Sequence, residues 1–218
     1  MTFRLSGLPL AAPALAALAL AALLALPAHA HQVWAEWTAG PEAKAYFGEW
    51  EDDLKEGRDF LAKYATDPQS VTPNAPPKPA VLHDGFFTFP VTAGNDARLT
   101  ASYYNERNSS VSMYHARAGR NDTRGVLALE LVPTTANGNN FTLLLNGQPA
   151  PKQKVVVIGP PRWTKHLTTD ANGQITIQTP WTGQYVLEAI VEDNTAGSLN
   201  GKAYTKMRHV TTLSFVTQ

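Results

Sequence analysis

The chain has no cysteine. That excludes disulfides as a source of stability and thiolates as metal ligands, so a metal site here must use nitrogen, oxygen or thioether donors. A surplus of charge is missing too: 18 Lys and Arg stand against 18 Asp and Glu. Nucleic acid or an anionic membrane surface finds no electrostatic hold on such a chain. Several catalytic signatures are absent. There is no Gly-x-Ser-x-Gly elbow, no His-Glu-x-x-His pair and no glycine-rich phosphate loop. The serines and histidines show no spacing that pairs a nucleophile with a base. An enzyme is therefore not expected. No long hydrophobic run follows the first 30 residues, so no membrane span is expected beyond them.

What is present begins with those 30 residues. Arg4 is followed by an apolar run over residues 8–26 and then by Pro27-Ala28-His29-Ala30. A basic head, an apolar middle and a small-x-small exit predict a secretory signal peptide cut after Ala30, with a retained membrane anchor as the rival. Cutting there makes His31 the first residue. A terminal His offers its α-amine (pKa about 7.7–8) and its ring Nδ1 (pKa about 6.5), and both lose their protons at modest cost when a metal binds. Such donors suit Cu(II), Ni(II) and Zn(II). A second His joining them would give a T-shaped three-nitrogen arrangement of histidine-brace type.

Along the rest of the chain, residues 32–37 and 43–47 read as strands joined by a Gly40-Pro41 turn. Residues 49–64 carry Trp50, Leu54, Leu61 and Tyr64 at helical spacing behind an acidic first turn, and predict the one short helix. Residues 68–79 hold five prolines and predict an extended loop. Strands are expected over residues 85–91, 97–104, 111–116, 126–132, 140–145, 154–158, 174–179, 184–191 and 208–216. The turns include Asn146-Gly147, Asn172-Gly173 and Thr182-Gly183. The fold class expected is mainly β: a β-rich domain over residues 31–128 and an immunoglobulin- or transthyretin-like β-sandwich over residues 129–218.

The runs Trp163-Thr164-Lys165, Thr168-Thr169-Asp170-Ala171-Asn172-Gly173, Gly183-Gln184-Tyr185-Val186 and His209-Val210-Thr211-Thr212-Leu213-Ser214-Phe215 are similar to the periplasmic family described as domain of unknown function 4198. So is the head, His31-Gln32-Val33-Trp34-Ala35-Glu36 with Tyr46-Phe47-Gly48-Glu49. These are turn and core patterns that specify fold more than chemistry. The resemblance implies a periplasmic location and a link to nickel or cobalt uptake. It also implies an aromatic residue where this chain has His115 and His209, which marks both as departures.

Four histidines are candidate ligands. His31 comes first, for its two nitrogens. His115 shares a strand face with Val111 and Met113, a possible thioether ligand; its plainer role is a half-buried histidine bonded to backbone. His209 shares a face with Thr211, Leu213 and Phe215, and reads as either an interior histidine or one that meets the terminus. His83 precedes Asp84-Gly85, a turn pair that can place imidazole beside carboxylate. His166 reads as a surface residue. Glu49, Glu51, Asp52 and Asp53 lack the spacing of a calcium loop and read as charges in the helix's first turn. Trp34, Trp37, Trp50, Trp163 and Trp181 are dispersed and suggest core or turn packing rather than a flat substrate platform.

The expected function is a periplasmic protein that binds a divalent transition metal, nickel, cobalt or copper, through His31. It would deliver the ion to a membrane transporter or a periplasmic acceptor. A metal-free interaction module of the envelope is the alternative. A copper-dependent oxidase with a histidine-brace site is a third possibility, and it predicts reductant-dependent peroxide production from copper-loaded protein.

Overall fold

Alternating apolar residues make Val33, Ala35, Ala43, Ala45, Phe47, Phe87 and Phe89 the buried face of a small antiparallel sheet. Its strands run in the order β1 (Gln32–Glu36), β2 (Glu42–Glu49), β7 (Phe87–Pro90), β6 (Val81–Leu82), with β3 (Leu54–Lys55) paired to the end of β2. The computed structural model describes residues 31–160 and 162–218, which form one compact unit. The expected signal peptide, residues 1–30, lies outside the described residues. Among those described, no helix is long and apolar enough to cross a membrane.

The small sheet lies on one face of an eight-stranded sheet that runs through both halves of the chain. Its order is β14 (Trp163–Thr168), β13 (Lys154–Gly159), β16 (Gly183–Asp193), β19 (Lys206–Thr217), β9 (Ser110–Ala118), β8 (Ala97–Asn105), β4 (Thr66–Ser70), β5 (Lys78–Pro79). Every pair is antiparallel except β9 and β19, which are parallel and join the two halves. A third sheet, β10 (Leu129–Pro133), β11 (Asn140–Leu145), β12 (Gln148–Pro149) and β15 (Gln174–Thr176), covers the other face. A hairpin of β17 (Gly197–Leu199) and β18 (Lys202–Tyr204) completes the mainly β architecture.

Two cores result. Leu99, Ala101, Tyr114, Ala116 and Val210 of the large sheet pack under the small one, together with Leu61 and Ala65. Leu187, Ala189, Leu213 and Phe215 pack under β10, β11 and β15. Val210 and Leu213 differ in parity along β19, so the cores lie on opposite faces of the shared sheet. The chain passes from one core to the other between Ala118 and Leu129.

The helix is shorter than its sequence pattern: α1 spans Arg58–Tyr64. Residues 49–57 are instead a hairpin end, a tight turn and β3, because the Gly48↔Lys55 and Glu49↔Leu54 pairing captures them. The proline-rich stretch is not all loop. It supplies the end of β4, where Pro68 falls at an irregularity in the pairing with β8, and the edge strand β5; at both places a missing proline N–H is tolerated.

Between β8, β9 and β10 the interior is ionic. Glu130 Oε1 accepts from Arg98 Nε at 2.7 Å and Arg117 Nη1 at 2.9 Å, while its Oε2 accepts the Val126 and Leu127 amides. Asp122 takes Arg98 Nη1 at 2.7 Å and Asp96 takes Arg117 Nη2 at 2.5 Å. Each charge thus has a close opposite partner, the condition on which a buried ion is tolerated.

Candidate functional site

His31 extends β1 by one residue, so the register that sets Gln32 opposite Gly48 carries it toward Glu49. The chain then turns through residues 50–53. Asp53 N donates to Trp50 O at 3.2 Å, and Asp53 takes a φ of +59°. The approach of β3 is close at Gly48, whose φ is +152°; a Cβ there would lie 2.0 Å from the Leu54 carbonyl oxygen. Only glycine fits. Glu56 N next donates to Phe47 O at 2.9 Å, which returns Glu56 to β2 beside His31.

The imidazole of His31 therefore meets two carboxylates. Nε2 lies 2.6 Å from Glu56 Oε1, in a hydrogen bond, and Nδ1 lies 3.3 Å from Glu49 Oε1, an ion-pair distance without a hydrogen bond. Phe60 of α1 stacks on the ring at 5.5 Å between centroids and Phe47 tilts against it at 5.3 Å. With 30 % of its side chain exposed, His31 remains open to solvent. Protonation of Nε2 toward Glu56 leaves Nδ1 with a lone pair on the Glu49 side.

Behind His31, the buried Gln32 amide is oriented to donate to Glu188 of β16 and to accept from Trp50 N at 3.2 Å. Burial pushes Glu188 up to about 7; Arg208 pulls it down, while Glu51 and Glu49 add to the rise. Glu51 also accepts from Thr164 Oγ1 at 2.9 Å. Arg162 donates to the Trp50 and Glu51 carbonyls at 3.1 Å and pairs with Asp53 at 2.8 Å. The acidic cluster is thus no first turn of a helix. Glu49 faces His31, and Glu51 and Asp53 tie the turn to the β13–β14 hairpin.

The other described histidines stand apart from His31. His115 Nε2 and His209 Nδ1 are 3.1 Å apart, with rings stacked at 5.3 Å, and both side chains are buried. Thr212 and Ser214 of β19 donate to the carbonyls of Val33 and Ala35 in β1, so even positions of β19 face the small sheet. His209, and His115 opposite Thr211, have the other parity and point to the far face. The large sheet separates this pair from His31. Burial, with His209 beside it, lowers His115 to about 3; burial also lowers His209, against the pull of Asp193. His83 stacks on Phe86 at 4.8 Å, with Nε2 2.9 Å from Thr88 Oγ1. His166 is exposed on the edge strand β14. Among the described residues, no three or more His, Asp or Glu side chains are arranged to hold a metal ion.

Sequence reasoning did not single out Glu56, Phe60 or Glu188. Glu56 and Phe60 sit where a longer helix was expected, and only the β2–β3 pairing brings Glu56 to His31. The tryptophans are less dispersed than they look. Trp34 meets Trp50 edge-on at 5.6 Å and Trp163 meets Trp181 at 5.3 Å.

A family model described as "Domain of unknown function (DUF4198)" matches residues 43–193, more than half of the chain. No curated protein matches. A solved structure, "Biofilm associated protein - BSP domain", is similar at 15% identity with a TM-score of 0.22. That match covers 83% of this chain and 29% of the other.

Proposed function

The chain belongs to the DUF4198 family, and we propose that it is exported, cut after Ala30, and binds a divalent transition metal at the resulting His31 terminus. The metal is nickel, cobalt or copper, and the protein hands it to a membrane transporter or another periplasmic acceptor. The observation that carries this reading is the pair of carboxylates at the two ring nitrogens of His31, 2.6 Å and 3.3 Å away. Glu56 fixes the Nε2–H tautomer, the part a carboxylate plays behind a ligating histidine. Nδ1 and the new α-amine then form the chelate. Glu49 Oε1 stands from Nδ1 at a separation that two ligands of one ion adopt when each bond is near 2.1 Å, about 3–3.4 Å. Two nitrogens and one oxygen suit borderline divalent ions, and the lack of thiolates fits the same class. The side chains alone do not complete a site, so the amine made by the cut is a required donor.

The test is a copper and nickel titration of protein whose first residue is confirmed by intact mass as His31. Tight one-to-one binding that is lost on His31→Ala, or on placing one residue ahead of His31, supports the reading. Binding no tighter than that of a surface histidine sinks it. The metal-free interaction module is favoured by one observation: Trp163 and Trp181 form an edge-on pair with 37 % and 40 % of their surface exposed. A silent titration leaves that reading standing.

A further inference from the structure

Trp37 follows the far end of β1 from His31. It borders a cleft of about 680 Å³ also lined by Thr38, Arg120, Asn121, Asn137 and Thr179. Arg120 is the cation of this cleft. Its Nη1 donates to the Gly138 carbonyl at 3.2 Å and to Asn139 Oδ1, and its guanidinium carbon lies 4.2 Å from the centre of the Phe215 ring. All three partners are neutral. Among the described residues no carboxylate pairs with Arg120, and its Nε and Nη2 donors meet no protein acceptor. Partial burial without a counter-ion draws its pKa down. A half-buried guanidinium with two unused donors is an unusual thing to leave in a cleft wall, because its desolvation is not offset by an anion.

The acidic side chains nearby are already committed, and Gln218, which also lines the cleft, forms no ion pair with Arg120 among the described residues. Asp96 also lines the cleft, but its Oδ2 takes Arg117 Nε at 3.1 Å, Arg117 Nη2 at 2.5 Å and the Asp122 amide at 3.1 Å, and its Oδ1 takes the Asn121 amide at 3.1 Å. Asp122 is held by Arg98. The arginine itself is fixed from both sides. Gly119 has a φ of +104°, and a Cβ there would fall 2.4 Å from Asp96 Oδ1. Gly119 N donates to Ser214 O at 2.9 Å, and the Arg120 carbonyl accepts from Asn137 N at 2.7 Å. The backbone that carries the guanidinium is built before a ligand arrives, which lowers the ordering cost of binding.

We propose that this cleft binds a small hydroxylated monocarboxylate, of the sugar-acid class, with Arg120 gripping the carboxylate. Two parallel N–H donors of a guanidinium match a carboxylate in plane and spacing. The amides of Asn121 and Asn137 and the hydroxyls of Thr38 and Thr179 suit ligand hydroxyls, and Trp37 supplies an apolar flank. Charge decides between carboxylate and phosphate. Behind the cleft, the paired side chains Arg98 and Arg117 against Asp96, Asp122 and Glu130 leave one negative charge in excess, which works against a second charge on the ligand. A dianion gains little from such a site, whereas a monoanion can use the fork. This inference is independent of the metal at His31.

The test titrates D-glucuronate, D-glucose and inorganic phosphate into the protein and follows the backbone amides of Asn121, Asn137 and Thr179 by NMR. Glucuronate should shift these amides, glucose and phosphate should bind about tenfold or more weakly, and Arg120→Gln should lose about tenfold or more in glucuronate affinity. Arg120→Lys keeps the charge and loses the fork, so it should also bind more weakly, and it serves if the glutamine variant does not fold. No shift at these amides, equal binding of glucose or phosphate, or unchanged affinity in the folded variant would overturn the proposal.

Discussion

His115 and His209 share a hydrogen bond of 3.1 Å across β9 and β19, the one parallel pair in the large sheet. One imidazole donates and the other accepts, so at most one can carry a proton charge, and burial disfavours even that one. His115 Nδ1 and the Thr211 hydroxyl, on paired positions beside them, are buried without partners. The junction between the two halves of the protein therefore holds polar groups that tolerate no added charge.

This sets an acid limit on stability. His115 titrates near 6.5 when unfolded and at about 3 when folded, and His209 is lowered as well. As pH falls below 6.5 the unfolded chain takes up protons that the folded one refuses, so stability is lost progressively down to about pH 3. Replacing both with phenylalanine should make the pH 4.5 to 6.5 stability difference more favourable to the acid side by on the order of 2 kcal/mol. Urea denaturation at the two pH values checks this. An unchanged pH dependence would remove the histidine pair as its cause.

Glu188 should act in the opposite sense. Its carboxyl is raised from 4.5 to about 7, chiefly by burial. Below pH 4.5 it is protonated in both states and costs nothing; as pH rises toward 7 the unfolded chain ionises first and stability falls. Between pH 4.5 and 6.5 this slope offsets that of the histidines, so the wild type should look flat there. Glu188→Gln keeps an acceptor for Gln32 and removes the charge from beside Glu49 and Glu51. It should stabilise the protein at pH 8 by about 1 kcal/mol and expose the acid slope that the wild type hides. A destabilised variant at pH 8 would contradict this.

The carboxylate of Glu130 is bonded to two arginines and two backbone amides with none of its side chain exposed. Glu130→Gln leaves two buried guanidinium groups short of an anion and turns an –NH2 toward donors. A loss of about 3–5 kcal/mol is expected in chemical denaturation, since removing one member of a buried ionic set strands the others. Less than about 1 kcal/mol would mean that water reaches the network.

Most of the second half was legible because its signals are local. Asn146-Gly147 and Asn172-Gly173 turns bracket alternating apolar runs, and β11 spans the residues expected of it. The first half was harder, since its key event is a pairing. Residues 49–64 carry helical spacing and acidic charge, yet Gly48 and Asp53 in positive φ close a hairpin that takes the first part of the stretch. The parallel join of β9 to β19, across almost a hundred residues, leaves no local trace. At the candidate site His31 stood out from its place in the chain, whereas Glu56 reaches it through a backbone bond to Phe47 that no spacing rule foretells. Strand faces read from the sequence left His115 and His209 as candidates to join His31; the parity fixed by the β1–β19 contacts sends both to the other face.

The division of labour between Glu49 and Glu56 gives the most discriminating prediction about the terminus. If His31 holds a metal through its amine and Nδ1, Glu49 is a direct ligand and Glu56 acts only by orienting the ring. Glu56→Gln can still accept the Nε2–H through its amide oxygen, so metal affinity should fall about tenfold, at the mild end of the range for groups behind a ligand. Glu49→Gln substitutes a neutral oxygen for an anionic one and should cost more, about a hundredfold. Both side chains are partly exposed, so thermal stability should shift little in either variant. Titrating copper into both variants alongside the wild type, each with His31 confirmed as its first residue, measures the order directly. The reverse order, with Glu56→Gln the more damaging, would place the ion at Nε2 and remove the amine from the site, because a chain's own α-amine chelates through Nδ1. Equal and negligible effects would mean that the two carboxylates serve only to pair with a protonated His31.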